Sequence, residues 1–205
     1  MWRPIDTEFY SPRLPVSIVD VEGDGVGLRT LLEGVQCVVH LHSIGTPNDF
    51  LKVISQGAAV PRYVIIDGHG TEHGLHFREE TGGIDSPVLK EGCLGPELIR
   101  ERANLPDATV INLTCLGGER RMADAFLAGR IRAYIGSRTC HDGRAMRLYL
   151  AHLIYNVTVR NMSDRDAWYR AVRDTDHPDI DLLSFYHPDG REERFSREAV
   201  EQARA

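Results

Sequence analysis

The chain has 205 residues, 42% of them apolar, which suffices to bury a full core in one domain spanning 1–205. Its 24 Lys and Arg stand against 30 Asp and Glu, a net charge of −6 with no basic run to track phosphates, so nucleic acid and anionic membrane are excluded as leading partners. No apolar stretch approaches the roughly 20 residues that cross a bilayer, and MWRPIDTEFYSPR lacks the charged-then-apolar order of a signal peptide; the expectation is a soluble, cytoplasmic protein.

The first strand is predicted at VSIVDVE (16–22), followed by the turn GDGVG and a short helical stretch, LRTLLEG. The glycines of that turn, Gly23, Gly25 and Gly27, miss the GxGxxG spacing at Leu28, and no lysine follows, so a solvated turn is expected rather than a phosphate loop. CVVHLHSI (37–44) reads as a second strand, and Thr46 is placed to cap a helix in TPNDFLKVISQG. RYVIIDGHG (62–70) is nearly continuous in its apolar residues, as a strand covered on both faces requires.

TEHGLHFREETGGIDSPVLKEG reads as a loop-rich insertion, with FREETGG an exposed charged face, and leads to the helical segment PELIRERA and the strand TVINLTC. ERRMADAFLAGR then carries Met122, Phe126 and Leu127 at helical spacing, with Gly129 ending the helix, and RAYIGSR is the next strand. An apolar helix follows from Gly143 to Asn156, and Ser163 caps another, DRDAWYRAVRD, in which Trp168, Tyr169 and Val172 are read as core. From about residue 180 the chain is predicted to form a hairpin turning at Pro188-Asp189-Gly190, then the helix SREAVEQARA. Repeated β-α crossovers imply a three-layer α-β-α sandwich with a mainly parallel central sheet.

Cys37, Cys93, Cys115 and Cys140 form no CxxC pair and are read as reduced thiols. The N-x-S/T triplets at Asn112, Asn156 and Asn161 are read as chance matches, Asn112 because it falls in a predicted buried strand.

In parallel sheets, reacting groups gather at the carboxyl ends of the strands. VIIDGHG delivers His69 at one such end and VINLTC delivers Cys115 at another. Were those strands neighbours, about 4.8 Å apart, an imidazole and a thiol would share one rim. A free thiol has a pKa of about 8.5, and a nearby imidazole both raises its thiolate fraction and protonates a leaving amine. Gly68 and Gly70 are expected to let the chain turn sharply around His69, and Gly117 and Gly118 to give substrate room beside the backbone. The amides of Gly70 and Cys115 are candidate oxyanion donors.

The order apolar strand, His69-Gly70, insertion, apolar strand, Cys115 resembles the caspase-like cysteine peptidases, the clan of caspases, legumain, gingipains, clostripain, separase and the CHAT domains. GERRMADAFLAGRIRAYIGSR is similar to the helix and strand that follow the nucleophile in the gingipain and CHAT branch, and the likeness of layout extends over about residues 16–175. The resemblance implies a caspase-like fold and a cysteine endopeptidase acting on a peptide or protein substrate through a thioester. It makes Cys115 the nucleophile, His69 the general acid/base and the Gly70 amide part of the oxyanion hole, with no metal or organic cofactor. Many relatives have Ala where this chain has Thr114. Arg138 and Asp142, after the last parallel strand, are candidates for substrate binding.

Two other readings compete. One is a catalytically inactive binding domain of the same fold. The other is a metal-dependent hydrolase, because His69, His73 and His76 crowd one loop with Asp67, and His40 and His42 share a strand face. The three glycines of DGHGTEHGLH argue against the helix on which an HxxxH pair would share a face. An amidotransferase or esterase elbow has glycines on both sides of its nucleophile and a later histidine, whereas Asn112-Leu113-Thr114 precedes Cys115 and His69 comes first.

Overall fold

The computed structural model describes residues 13–77 and 88–202. The first twelve residues, read above for a signal peptide, and most of the FREETGG run lie outside them.

The strands are β1 (Leu14–Val21), β2 (Cys37–Ser43), β3 (Tyr63–Thr71), β4 (Gly74–His76), β5 (Cys93–Leu94), β6 (Thr109–Asn112), β7 (Ala133–Ser137), β8 (Leu183–Tyr186) and β9 (Glu192–Arg194). The helices are α1 (Gly25–Glu33), α2 (Pro47–Val53), α3 (Pro96–Arg102), α4 (Arg120–Leu127), α5 (Gly143–Thr158), α6 (Asp164–Thr175) and α7 (Arg197–Gln202). The main sheet runs β2-β1-β3-β6-β7-β8-β9. Its first five strands are parallel, β8 adds antiparallel to β7, and β9 antiparallel to β8.

Alternation along each strand explains the continuous apolar runs. Ile18, Ile65, Ile111 and Ile135 point into one core with Leu28 and Leu32 of α1, Tyr149 of α5 and Trp168 of α6. Val19, Val64, Ile66, Val110 and Tyr134 point into the other with Phe50 of α2, Ile99 of α3 and Phe126 of α4. Each face of the sheet is therefore covered by helices, and each buried aliphatic contributes about 1.5–3 kcal/mol. Trp168 and Val172 are fully buried, as expected of core residues.

Helix starts follow the caps read from the sequence. The Thr46 hydroxyl accepts from the Asp49 amide with Pro47 in the first turn, and the Ser163 hydroxyl accepts from the Asp166 amide. Asp24 does the same for α1, accepting from the Gly27 amide, so the turn after β1 is the helix start itself. Among the described residues, no helix is long and apolar enough to cross a membrane.

Two expectations are corrected. The insertion after His69 is not wholly loop, because β3 runs on to Thr71 and folds back on β4, which pairs antiparallel with β5. Gly68 and Gly70 accordingly sit in extended strand, not in a sharp turn. Gly68 has φ +151° and a Cβ there would lie 2.1 Å from the Val21 carbonyl oxygen; a Cβ at Gly70 would lie 2.1 Å from that of Cys115. Close backbone approach is what both positions require.

Candidate active site

The residues around Cys115 form a turn held from beneath. Asn112, buried at the end of β6, accepts at Oδ1 from the Thr114 amide (3.0 Å) and hydroxyl (2.8 Å) and donates from Nδ2 to the Tyr134 hydroxyl (2.9 Å). Tyr134 in turn donates to the Gly117 carbonyl, and Tyr186 donates to the Gly118 carbonyl at 2.7 Å. The Gly117 amide closes a four-residue turn on the Thr114 carbonyl at 3.1 Å, with Cys115 and Leu116 at its tip. Leu116 has φ +58°, a left-handed conformation that costs a non-glycine residue about 1–2 kcal/mol.

Thr114, which the family likeness did not explain, is thus a buried hydroxyl satisfied by Asn112. The glycine pair also has a different purpose from the one expected. A Cβ at Gly117 would lie 2.6 Å from Asn112 Cγ, and one at Gly118 would lie 2.2 Å from the Gly136 carbonyl oxygen. Both glycines let the turn press onto β6 and β7; they do not make room for substrate.

The thiol of Cys115 is half-buried. Burial pushes its pKa up; the His141 amide, hydrogen-bonded to it, pulls the other way, while the Cys140 thiol and the charge of Asp179 raise it. The resting group is therefore the neutral thiol at pH 7. Among the described residues, the Cys115 amide has no hydrogen-bond acceptor, as an oxyanion donor requires. β3 and β6 are neighbours, as the shared rim needs, with Ile66 opposite Asn112. His69 lies on β3 opposite His76 of β4, exposed, and makes no side-chain hydrogen bond among the described residues. The backbone beside it, at Gly70, rests against Thr114 and Cys115.

No family model matches the chain, and no curated protein does. Solved structures do. The chain is similar to the Arg-specific cysteine proteinase gingipain R, with a TM-score of 0.54 and 11% identity over 89% of this chain and 48% of that one. It is also similar to a chain of the Saccharomyces cerevisiae separase–securin complex, with a TM-score of 0.52 and 12% identity over 93% of this chain and 13% of that one. The fold is caspase-like. A complex of the pro- and mature domains of RgpB from Porphyromonas gingivalis matches at a TM-score of 0.54 and 11% identity, over 85% of this chain and 47% of that one. The chain thus spans about half the length of the gingipain chains and a small part of the separase one.

Within this caspase-like fold the other candidate residues separate. Asp142 caps α5, accepting from the Arg144 amide and pairing with its guanidinium, while its own amide donates to Asp179. With Arg144, Ala145, Leu148, Thr175 and His177 it lines a cavity of about 290 Å³, whose lining includes neither His69 nor Cys115. The Arg138 amide donates to the Leu182 carbonyl. Of the histidines of the metal reading, His69 stands opposite His76 across β3 and β4, His73 lies 3.3 Å from Glu91, and His42 lies 3.2 Å from the Ser17 hydroxyl. Among the described residues, no three His, Cys, Asp or Glu side chains are grouped to hold a metal ion.

Sequence reasoning missed Cys140 and His141, which the structure brings to Cys115. The signal was present, since both follow directly on the carboxyl end of β7, the same position relative to their strands that singled out His69 and Cys115.

Proposed function

We propose that this protein is a cysteine endopeptidase, with Cys115 as nucleophile and His69 as general acid/base. The observation that carries the reading is the approach of Gly70, the neighbour of His69, to the Cys115 carbonyl, so close that a Cβ would overlap it. As the thiol attacks the scissile carbonyl, His69 takes its proton, and the oxyanion is met by the amides of Gly70 and Cys115. His69 then protonates the leaving amine, and a water it deprotonates hydrolyses the thioester. Four free cysteines suit a reducing compartment such as the cytoplasm.

A basic residue at the cleaved position fits this site best. Strand order reverses between β1 and β3, where an open α/β sheet binds ligands, and Asp20 and Asp67 face one another there in register. Burial raises the pKa of Asp67, and the charge of Asp20 raises it further, against the pull of the Asp24 amide. Arg147, paired with Asp24 at 2.9 Å, offsets part of that negative charge, and a substrate cation would offset the rest; gingipain R, similar in fold, is described as Arg-specific.

A fluorogenic peptide library tests the reading. Turnover by the wild type, lost in Cys115→Ala and unaffected by a chelator, supports it, and Asp67→Asn should weaken cleavage after Arg or Lys selectively. Activity surviving in Cys115→Ala overturns the thiol mechanism. No turnover on any peptide would leave an inactive binding domain.

A further inference from the structure

The loop between β7 and α5 is bound to the Cys115 turn on both sides of the thiol. On one side, the Leu116 amide donates to the Thr139 carbonyl at 3.2 Å; on the other, the His141 ring donates from Nε2 to the Leu113 carbonyl at 2.9 Å. Cys115 and Cys140 lie between these two rungs, one on each of the two bonded segments. Both are free, Cys115 half-buried and Cys140 exposed, whereas Cys37 and Cys93 are buried, the latter against the Thr71 hydroxyl. The one exposed thiol of the chain therefore stands on the segment bonded to the turn of the candidate nucleophile.

We propose that Cys115 and Cys140 form a redox couple, joined by peroxides into a reversible disulfide that caps the nucleophile. Cys140, open to solvent, attacks the peroxide as thiolate; the O–O bond breaks, water leaves after protonation, and Cys140 becomes a sulfenic acid. Cys115 sulfur then attacks the Cys140 sulfur, its proton passing to the departing oxygen; the S–O bond breaks, the S–S bond forms and a second water leaves. Two thiols and one peroxide thus give one disulfide and two waters. Reduction by a dithiol restores both thiols. With the Cys115 sulfur in a disulfide, no attack on a peptide carbonyl is possible. That consequence rests on Cys115 being the nucleophile, but the bond itself does not.

The test treats the full chain with hydrogen peroxide, blocks remaining thiols with N-ethylmaleimide, and maps peptides by mass spectrometry with and without dithiothreitol. The expected result is a linked peptide containing Cys115 and Cys140, loss of both maleimide labels, and their return on reduction. In Cys140→Ser the link should be absent, and Cys115 should keep its maleimide label and its turnover after peroxide. Equal over-oxidation of Cys115 in wild type and Cys140→Ser, or Cys140 linked only to another chain, overturns the proposal. A linked peptide with undiminished turnover keeps the disulfide and removes Cys115 from catalysis, so the two readings fail separately.

Discussion

The two halves of the candidate site are built differently. The Cys115 turn has its polar groups tied into a buried network across β6, β7 and β8, through Asn112, Thr114, Tyr134 and Tyr186. The His69 strand leaves the sheet to form a small hairpin, with the imidazole exposed and without a side-chain hydrogen bond among the described residues. Rigidity therefore belongs to the Cys115 turn and adjustability to the His69 hairpin; in the proposed dyad, the hydrogen bond between the two side chains would tighten on substrate binding.

Breaking either half separates activity from stability. Cys115→Ala should abolish turnover and His69→Ala lower kcat/KM by about 10²–10⁴-fold, while thermal unfolding stays near the wild type in His69→Ala because the ring is exposed. Asn112→Ala strands the Thr114 amide and hydroxyl and leaves the Tyr134 hydroxyl only its bond to Gly117, and urea denaturation should show a loss of about 2–4 kcal/mol. Gly70→Ala drives a methyl group into the Cys115 carbonyl and should cost about 1–3 kcal/mol while moving the two halves apart, read as lower turnover at saturating substrate.

Thiol burial gives a pH signature. Burial pushes the Cys37 thiol up to about 12, against the pull of Arg13, and moves Cys115 in the same direction. Both groups hold their protons more tightly folded than unfolded. Their contribution to stability is thus complete below the ordinary thiol value of about 8.5 and is lost as pH rises toward the folded one, so urea denaturation should show about 2 kcal/mol less stability at about pH 10 than at about pH 8. The smallest change is expected for Leu116→Gly, which relieves a left-handed leucine but frees the unfolded chain, for a net effect within about 1 kcal/mol. A fall in turnover without a fall in stability would show that the tip of the turn must be stiff.

Much of this was legible in the sequence because long-range order here follows local pattern. Apolar runs such as VIIDG and TVIN marked strands covered on both faces, Thr46 and Ser163 marked helix starts, and position at strand ends singled out His69 and Cys115. What the sequence hid depends on neighbours distant along the chain. The glycines at 68 and 70 read as freedom to turn and those at 117 and 118 as room for substrate, but an added Cβ at each would lie 2 to 3 Å from a neighbouring segment. Thr114 had no meaning until Asn112 and Tyr134 were seen beneath it. Cys140 reaches Cys115 only because β6 and β7 are parallel neighbours, bringing their carboxyl ends together.

The far end of the same two strands carries one further feature. Asp164, at the start of α6, accepts from Arg62 (3.0 Å) and Tyr63 at the beginning of β3 and from Thr109 at the beginning of β6. Although burial opposes it, hydrogen bonding from Thr109, Tyr63 and Arg62 holds its carboxyl below the ordinary aspartate value. β3 and β6 are thus riveted at their amino ends as well as pressed together at the rim. In amide-exchange terms, Tyr63–Ile66 and Thr109–Asn112 should open only with the whole molecule, while the outer hairpin of β8 and β9 exchanges by smaller openings, leaving the strands that carry His69 and Cys115 as the last part of the sheet to come apart.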